Sequence, residues 1–191
     1  MHLRKTQSHG KIGEAAVTAK CWMHGIPAYN TAGLRANFAG SDLIVDTSDP
    51  TKKMLIQVKT GYSPSSGWVY LTQCASERDL TGDKFVADFV VFVNLDRKVA
   101  SSHEHNGELD FQHLTFYVVP REEANRLYRE AVRRQYEQPL RTGGQRKLGN
   151  MAVNVASAEM ARFKDAWLQI LGSVNNTANI SMNPTTLQRV L

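Results

Sequence analysis

The hydrophobic pattern changes its period along the chain, and each period predicts a different secondary-structure element. Apolar residues recur at helical spacing over residues 11–23, which predicts a first helix. Residues 43–46 and 54–60 form two short apolar strands, and the turn-forming residues 47–50 between them favour an antiparallel hairpin. The nearly continuous apolar run at residues 89–95 is typical of a strand that is covered on both faces.

Further strands and helices are predicted on either side of that buried strand. Residues 29–35 form either a strand or an irregular loop, and residues 68–71 predict a short strand. Residues 114–119 predict a strand, residues 121–138 a helix and residues 157–171 a last helix. This order of elements predicts an α/β domain with a mixed sheet.

The length of 191 residues favours a single domain that is large enough to bury a core. We expect this domain to span residues 1–171, with its core at residues 8–138 and a C-terminal helical extension at residues 139–171. Beyond Gly172 the sequence is polar and rich in Asn, which predicts a weakly ordered tail over residues 172–191.

Composition and charge narrow the class of protein. The formal net charge of +5 suits a polyanionic partner, although a merely basic soluble protein would carry the same excess. The only two cysteines, Cys21 and Cys74, indicate no disulfide framework. No secretory signal follows Met1 and no apolar run is long enough to span a bilayer, so we expect a cytoplasmic protein with no membrane partner.

The second strand of the predicted hairpin carries polar residues that packing does not explain. Side chains alternate along a strand, so Leu55, Gln57 and Lys59 share one face while Ile56 and Val58 point the other way. A buried strand has no packing reason to place an amide and a lysine two residues apart on one face. Hydrolysis of a phosphodiester supplies a reason, because it needs oxygen ligands for a cation and a fixed positive charge.

Asp42, directly before the first strand of the hairpin, completes this interpretation. Its carboxylate, the Gln57 amide oxygen and the Val58 backbone carbonyl are hard oxygen ligands suited to Mg²⁺, with Mn²⁺ as a substitute. Lys59 would stabilise charge at the attacked phosphate or orient the attacking water. Glu14, on the first helix, is a further acid if that helix packs across the sheet.

The order Glu14, Ser41-Asp42 and Gln57-Val58-Lys59 resembles the PD-(D/E)XK nuclease superfamily in its Gln-containing variant, and small bacterial members in particular. The resemblance extends from the first helix through the strand that ends at Pro120. It implies a restriction-endonuclease-like αβββαβ core with a central mixed sheet flanked by helices. It further implies a Mg²⁺-dependent nuclease acting on DNA, with these residues at its centre and a homodimer as one way to cut both strands of a duplex.

Of two departures from the family pattern, the one at Gln57 keeps a second function open. Ser41 stands where the family usually has Pro, and Gln57 replaces an acid, which removes one negative charge from the metal site. The alternative is a catalytically weak or inactive module that binds nucleic acid or protein and retains the nuclease fold. A nuclease that processes RNA shares the same site. Taken singly, Lys59 fits an edge-strand residue that opposes aggregation, and Glu14 fits the first turn of a helix.

Basic residues in the C-terminal half suggest where nucleic acid binds. Arg141, Arg146 and Lys147 lie in a Gly-rich connector without acids, which favours contact with backbone phosphates. In the helix at residues 121–138 the charges alternate in sign, so a salt-bridged solvated face is at least as well supported as a binding surface. The histidines at positions 103, 105 and 113 fall in a polar loop without the spacing of a zinc site.

Overall fold

A computed structural model describes residues 5–31, 40–62, 68–73, 81–95, 114–137, 150–155 and 157–179. The strands are β1 (Ala28–Asn30), β2 (Leu43–Asp46), β3 (Lys53–Tyr62), β4 (Trp68–Gln73), β5 (Phe89–Leu95), β6 (Leu114–Pro120) and β7 (Asn150–Asn154). The helices are α1 (Lys5–Met23), α2 (Arg121–Glu137), a 3₁₀ helix (Ala158–Phe163) and α3 (Leu168–Asn179).

Five strands form a mixed sheet in the order β1-β2-β3-β5-β6. Neighbours are antiparallel except for β3 and β5, which pair in parallel, and β4 and β7 form a separate antiparallel pair. The predicted fold class, a central mixed sheet flanked by helices with further helices at the C-terminal end, is confirmed. The predicted hairpin is also confirmed, because β2 and β3 pair in antiparallel register with Leu43 opposite Ile56.

The sheet is covered on both faces, so β5 is buried from both sides as its apolar run predicts. Its residues Phe89, Val91, Val93 and Leu95 join a core cluster with α1 and α3. Val90 and Phe92 join a second cluster with α2, β7 and the 3₁₀ helix. No helix in the part of the chain that the structure describes has the length and apolarity needed to cross a bilayer.

The predicted alternation along β3 is confirmed. Met54, Ile56 and Val58 are buried in the core on the α1 side. Gln57 and Lys59 point to the α2 side, where their partners in β5 are Val90 and Phe92. The polar face of β3 therefore looks away from α1.

The last predicted helix, at residues 157–171, is wrong as a continuous element. The chain forms the 3₁₀ helix, breaks at Lys164 and Asp165, and starts α3 at Leu168. The break has a tertiary cause: the Asp165 N–H donates to the Phe116 carbonyl at 2.9 Å, and Lys164 bridges to Tyr117 of β6. Asp165 takes a positive φ of 49° there, a conformation that Asp tolerates better than most residues.

Two further differences concern the C-terminal region. The predicted helical extension at residues 139–171 contains strand β7, whose partner β4 lies far away in sequence, with Trp68 opposite Asn154. Helix α3 continues through Gly172 to Asn179, so the predicted start of the tail at residue 172 is too early. Residues 180–191 lie outside the described part of the chain.

Helix α1 approaches β3 closely because Gly13 has no side chain. A Cβ at Gly13 would overlap the hydroxyl of Thr60 and lie 3.0 Å from its Cβ and 3.2 Å from its Cγ2. Gly10 in the same helix has nothing within 4 Å of that position.

We expect Gly13→Ala to destabilise the protein by about 1–3 kcal/mol, because overpacking must push α1 away from β3. The matched control Gly10→Ala should stabilise it by about 0.5–1 kcal/mol through helix propensity. Urea unfolding of both variants measures the difference. Equal stability of the two variants would show that α1 does not rest on β3 at this point.

Candidate active site

The candidate site is built where β2 begins beside the middle of β3. The Asp42 N–H donates to the Ile56 carbonyl at 2.9 Å, and the Val58 N–H donates to Oδ2 of Asp42 at 2.7 Å. The Asp42 carboxylate thus accepts the hydrogen bond from Val58 that a backbone carbonyl of a longer β2 would otherwise accept. The Val58 carbonyl points to the same side as its amide, since both groups of one residue share a side in an antiparallel pair. The Asp42 carboxylate and the Val58 carbonyl therefore lie along the same edge of β3.

The segment that carries Asp42 is fixed by the residue after β1. The Thr31 N–H donates to the Asp42 carbonyl at 2.9 Å, and its hydroxyl donates to the Ser41 carbonyl at 3.0 Å. Gly40 adopts a φ of 89°, and a Cβ on it would lie 2.7 Å from a methyl group of Val86. Only glycine fits there without strain, so the path of the chain into Asp42 depends on the positive φ of Gly40 and its close contact with Val86.

Gln57 links this segment to Lys59. In the amide orientation that satisfies both of its polar atoms, Gln57 Nε2 donates to the Gly40 carbonyl at 3.2 Å. In the same orientation its Oε1 accepts from Lys59 Nζ at 3.3 Å. The amide thus holds the ammonium group of Lys59 at the site without supplying a countercharge.

Glu14 reaches the site from α1 and is held by two donors. Its Oε2 accepts from Lys11 Nζ at 2.7 Å and from Asn30 Nδ2 at 3.0 Å, and the side chain is only 14% exposed. Asn30 lies opposite Leu43 in the β1–β2 pair, and Leu43 directly follows Asp42 in the sequence. The structure therefore brings Asp42, Gln57, Val58 and Lys59 together and places Glu14 next to this group.

Burial opposes the charged forms of both central residues. Burial raises the pKa of Asp42, the hydrogen bond from Val58 lowers it, and the charge of Glu14 raises it further. Burial also lowers the pKa of Lys59, which the charge of Asp42 opposes and the charge of Lys84 reinforces. Perturbed groups of opposite sign in one partly buried cluster are typical of functional sites.

The oxygen donors of this cluster fit a magnesium ion. Asp42 and Glu14 provide carboxylates, and Gln57 and Val58 provide neutral oxygens. Mg²⁺ is usually held by one or two carboxylates together with water and substrate phosphates. Within the described ranges, no three His, Cys, Asp or Glu side chains are grouped as metal ligands, so a cage made wholly of such side chains is absent from that part of the chain.

Several sequence-predicted residues lie outside the described part of the chain. They are the proposed phosphate contacts Arg141, Arg146 and Lys147, the three histidines of the polar loop, and Cys74. Cys21 is described and buried, and burial raises the pKa of its thiol to about 12. Burial thus disfavours the thiolate, which is the reactive form of cysteine.

On α2, the salt-bridged interpretation of the alternating charges is confirmed. Arg126 pairs with Glu123, Glu130 and Glu159. Arg129 pairs with Asp83 at 2.6 Å, and Arg162 of the 3₁₀ helix with Glu123 at 3.2 Å. These pairs tie α2 to its neighbours.

Sequence reasoning missed three residues that shape the site: Asn30, Thr31 and Lys84. Asn30 and Thr31 are two polar residues at the end of a short strand. In the sequence they only weaken the prediction of a strand, and they do not indicate that Asn30 contacts Glu14 and Thr31 contacts Ser41. Lys84 precedes β5 and affects Lys59 only through the folded chain, so no local pattern indicates it.

Comparisons with known proteins agree with this geometry at the level of the fold. No protein-family model matches the chain, and no curated protein matches it in sequence. The structure is similar to that of a bacterial homing endonuclease, I-Ssp6803I, with a TM-score of 0.51 and 16% sequence identity. The match covers 94% of this chain and 100% of that one. The chain has a nuclease-like fold.

We expect Asp42→Asn to stabilise the metal-free protein, because the amide still accepts from the Val58 N–H but carries no buried charge. Functional residues often lower the stability of the folded protein. The free energy of unfolding of Asp42→Asn should exceed that of the wild type by about 1 kcal/mol, which is roughly 2–4 °C in Tm for a chain of this size. The matched control is Asp46→Asn at the other end of β2, where the carboxylate is exposed and pairs with Lys53 at 2.7 Å.

The stabilisation should depend on pH with a definite sign. Folding raises the pKa of the Asp42 carboxyl above its ordinary value of 3.8. The folded protein therefore loses stability as the pH rises from below 3.8 through this raised pKa, because the buried carboxyl must give up its proton. The difference in Tm between Asp42→Asn and wild type should therefore vanish in acid and grow toward neutral pH. Thermal unfolding in EDTA at several pH values measures it, and a constant difference would contradict the desolvated carboxylate.

Proposed function

We propose that this protein is a Mg²⁺-dependent nuclease that cleaves DNA and belongs to the PD-(D/E)XK superfamily in its Gln-containing variant. One observation carries the proposal. The carboxylate of Asp42 is bonded to the Val58 N–H beside Lys59, on the polar face of β3 in a nuclease-like fold.

Asp42, Gln57 and the Val58 carbonyl are the residues that would hold the cation. When bound by these residues, a divalent cation would supply two things: a lower pKa for a bound water and polarisation of the attacked phosphate. The Val58 N–H helps keep Asp42 ionised by bonding to its charged form, which opposes the effect of burial. The hydrogen bond between backbone and carboxylate thus prepares the ligand before any substrate arrives.

Lys59 supplies the fixed positive charge of the site. Its Nζ is held by the Gln57 oxygen and lies in a partly desolvated environment, where its charge acts strongly on a nearby phosphate. The lowered pKa also eases the loss of a proton, so Lys59 can assist in orienting and deprotonating the attacking water. Glu14, held by Lys11 and Asn30, adds negative charge beside Asp42.

Nucleic acid is the proposed substrate for two reasons, of which the first favours DNA. The structurally similar protein I-Ssp6803I is a homing endonuclease, and this chain carries a net charge of +5. A basic surface attracts any nucleic acid through its phosphates, so charge alone does not choose between DNA and RNA.

The first test is cleavage of supercoiled plasmid and of single-stranded DNA with Mg²⁺ or Mn²⁺. We expect EDTA to abolish cleavage and Lys59→Ala to reduce it at least about 100-fold, as loss of a transition-state contact commonly does. Lys53→Ala, an exposed lysine at the start of the same strand, should retain activity.

Each other result has a definite meaning for the proposal. Cleavage that survives Lys59→Ala would place the activity at another site or in a contaminant. Absence of cleavage, with salt-sensitive DNA binding intact, would favour the alternative function, a binding module that retained the fold. Gln57 is the residue that supports this alternative, because its amide gives the cation a neutral ligand in place of a charged one and so weakens the metal site.

Restoring the acid tests the metal site separately from catalysis. We expect Gln57→Glu to tighten Mg²⁺ binding about tenfold, because one more carboxylate faces the cation. Isothermal titration of Mg²⁺ measures the change, with Gln169→Glu on α3 as a control of equal charge. Unchanged affinity in Gln57→Glu and in Asp42→Ala would rule out a metal site at this position.

A further inference from the structure

The segment that leads into β5 is held rigidly beside the candidate site. Asn125 of α2 is only 2% exposed, and its Oδ1 accepts from the backbone amides of Lys84 and Phe85, both at 2.8 Å. Its Nδ2 donates to the Phe85 carbonyl at 3.0 Å. A buried amide with all three of these bonds specifies one conformation, so the position of Lys84 is set by the core.

From this anchor the chain reaches Gly40, two residues before Asp42. Val86 contacts Gly40, where a Cβ would lie 2.7 Å from its methyl group, yet 55% of the Val86 side chain is exposed. The Arg121 N–H donates to the Asp88 carbonyl at 2.9 Å, and its guanidinium Nη1 lies 3.5 Å from the Val86 carbonyl. Lys84 and Arg121 therefore flank Val86 at the edge of the site.

Two positive charges at this edge face solvent. Lys84 and Arg121 are both exposed, and in the ranges covered by the structure neither takes part in a salt bridge. The neighbouring acid, Asp83, is already paired with Arg129. Lys84 is close enough to Lys59 for its charge to disfavour the charged form of that residue.

We propose that Lys84 and Arg121, on either side of Val86, form a phosphate-binding strip that holds the nucleic-acid backbone next to the bond cleaved at Asp42 and Lys59. This inference rests on the proposed function. Exposed cations without acidic partners attract phosphate oxygens. The anchor on Asn125 fixes the backbone at Lys84, so binding does not have to order that backbone. The contacts are sequence-independent, because they are made to the backbone rather than to base edges.

The test compares Lys84→Gln/Arg121→Gln with Lys52→Gln/Arg133→Gln, which loses the same charge at the β2–β3 turn and at the far end of α2. Affinity for a short labelled duplex is measured by fluorescence anisotropy over a series of NaCl concentrations in EDTA. Each phosphate contact contributes about 0.9 to the slope of log K against log salt, so we expect the strip variant to lose about 1.8 and the control far less.

The outcomes separate this proposal from the nuclease assignment. If the wild type cleaves DNA and the two double variants have equal slopes, the strip is wrong while the nuclease stands. If the wild type neither binds nor cleaves, both proposals fall. Tm is measured for each variant, and the single change Lys84→Gln, expected to lower the slope by about 0.9, replaces the double variant if that one does not fold.

Discussion

The hydrogen bond from the Val58 amide to the Asp42 carboxylate joins the fold to its candidate chemistry. It ends the β2–β3 ladder with a side chain, and in doing so it fixes a carboxylate beside the polar face of β3. The apolar face of the same strand is buried against α1. A shift of one residue would move Ile56 to the polar side of β3 and Lys59 into the apolar core. The register of the β2–β3 hairpin therefore fixes both the position of the Asp42 carboxylate and the side of the sheet to which Lys59 points.

A second hydrogen bond from a β3 amide to an aspartate, at the other edge of the strand, is not part of the candidate site. The Leu55 N–H donates to the Asp88 carboxylate at 2.8 Å, so an aspartate also extends the ladder toward β5. Asp88 lines a pocket with Lys52 and Phe89, away from the polar pair formed by Gln57 and Lys59. A carboxylate on a strand edge is thus a structural element in its own right, and its surroundings decide whether it can serve as a metal ligand.

Stability and function oppose each other at the candidate site. Asp42 and Lys59 are partly desolvated, which disfavours both charges, and Gln57 provides no countercharge for either. Such an arrangement persists because the surrounding backbone is over-determined, by the Thr31 contacts on one side and the close approach of Val86 to Gly40 on the other. Asp42 and Lys59 attract each other, but this attraction offsets only part of the cost of burying their charges. A cation beside Asp42 and a phosphate beside Lys59 would supply further opposite charge.

Periodicity in the sequence by itself determined the hairpin, the doubly buried β5, α2 and the shared face of Gln57 and Lys59, because each depends on residues a few positions apart. Only the tertiary structure decided which distant groups meet. The pairing of β4 with β7, the break at Asp165 and the anchoring of Lys84 by Asn125 all depend on partners tens of residues away. Hydrogen bonds of that kind leave no local pattern, since they are chosen by the packing of whole elements against one another.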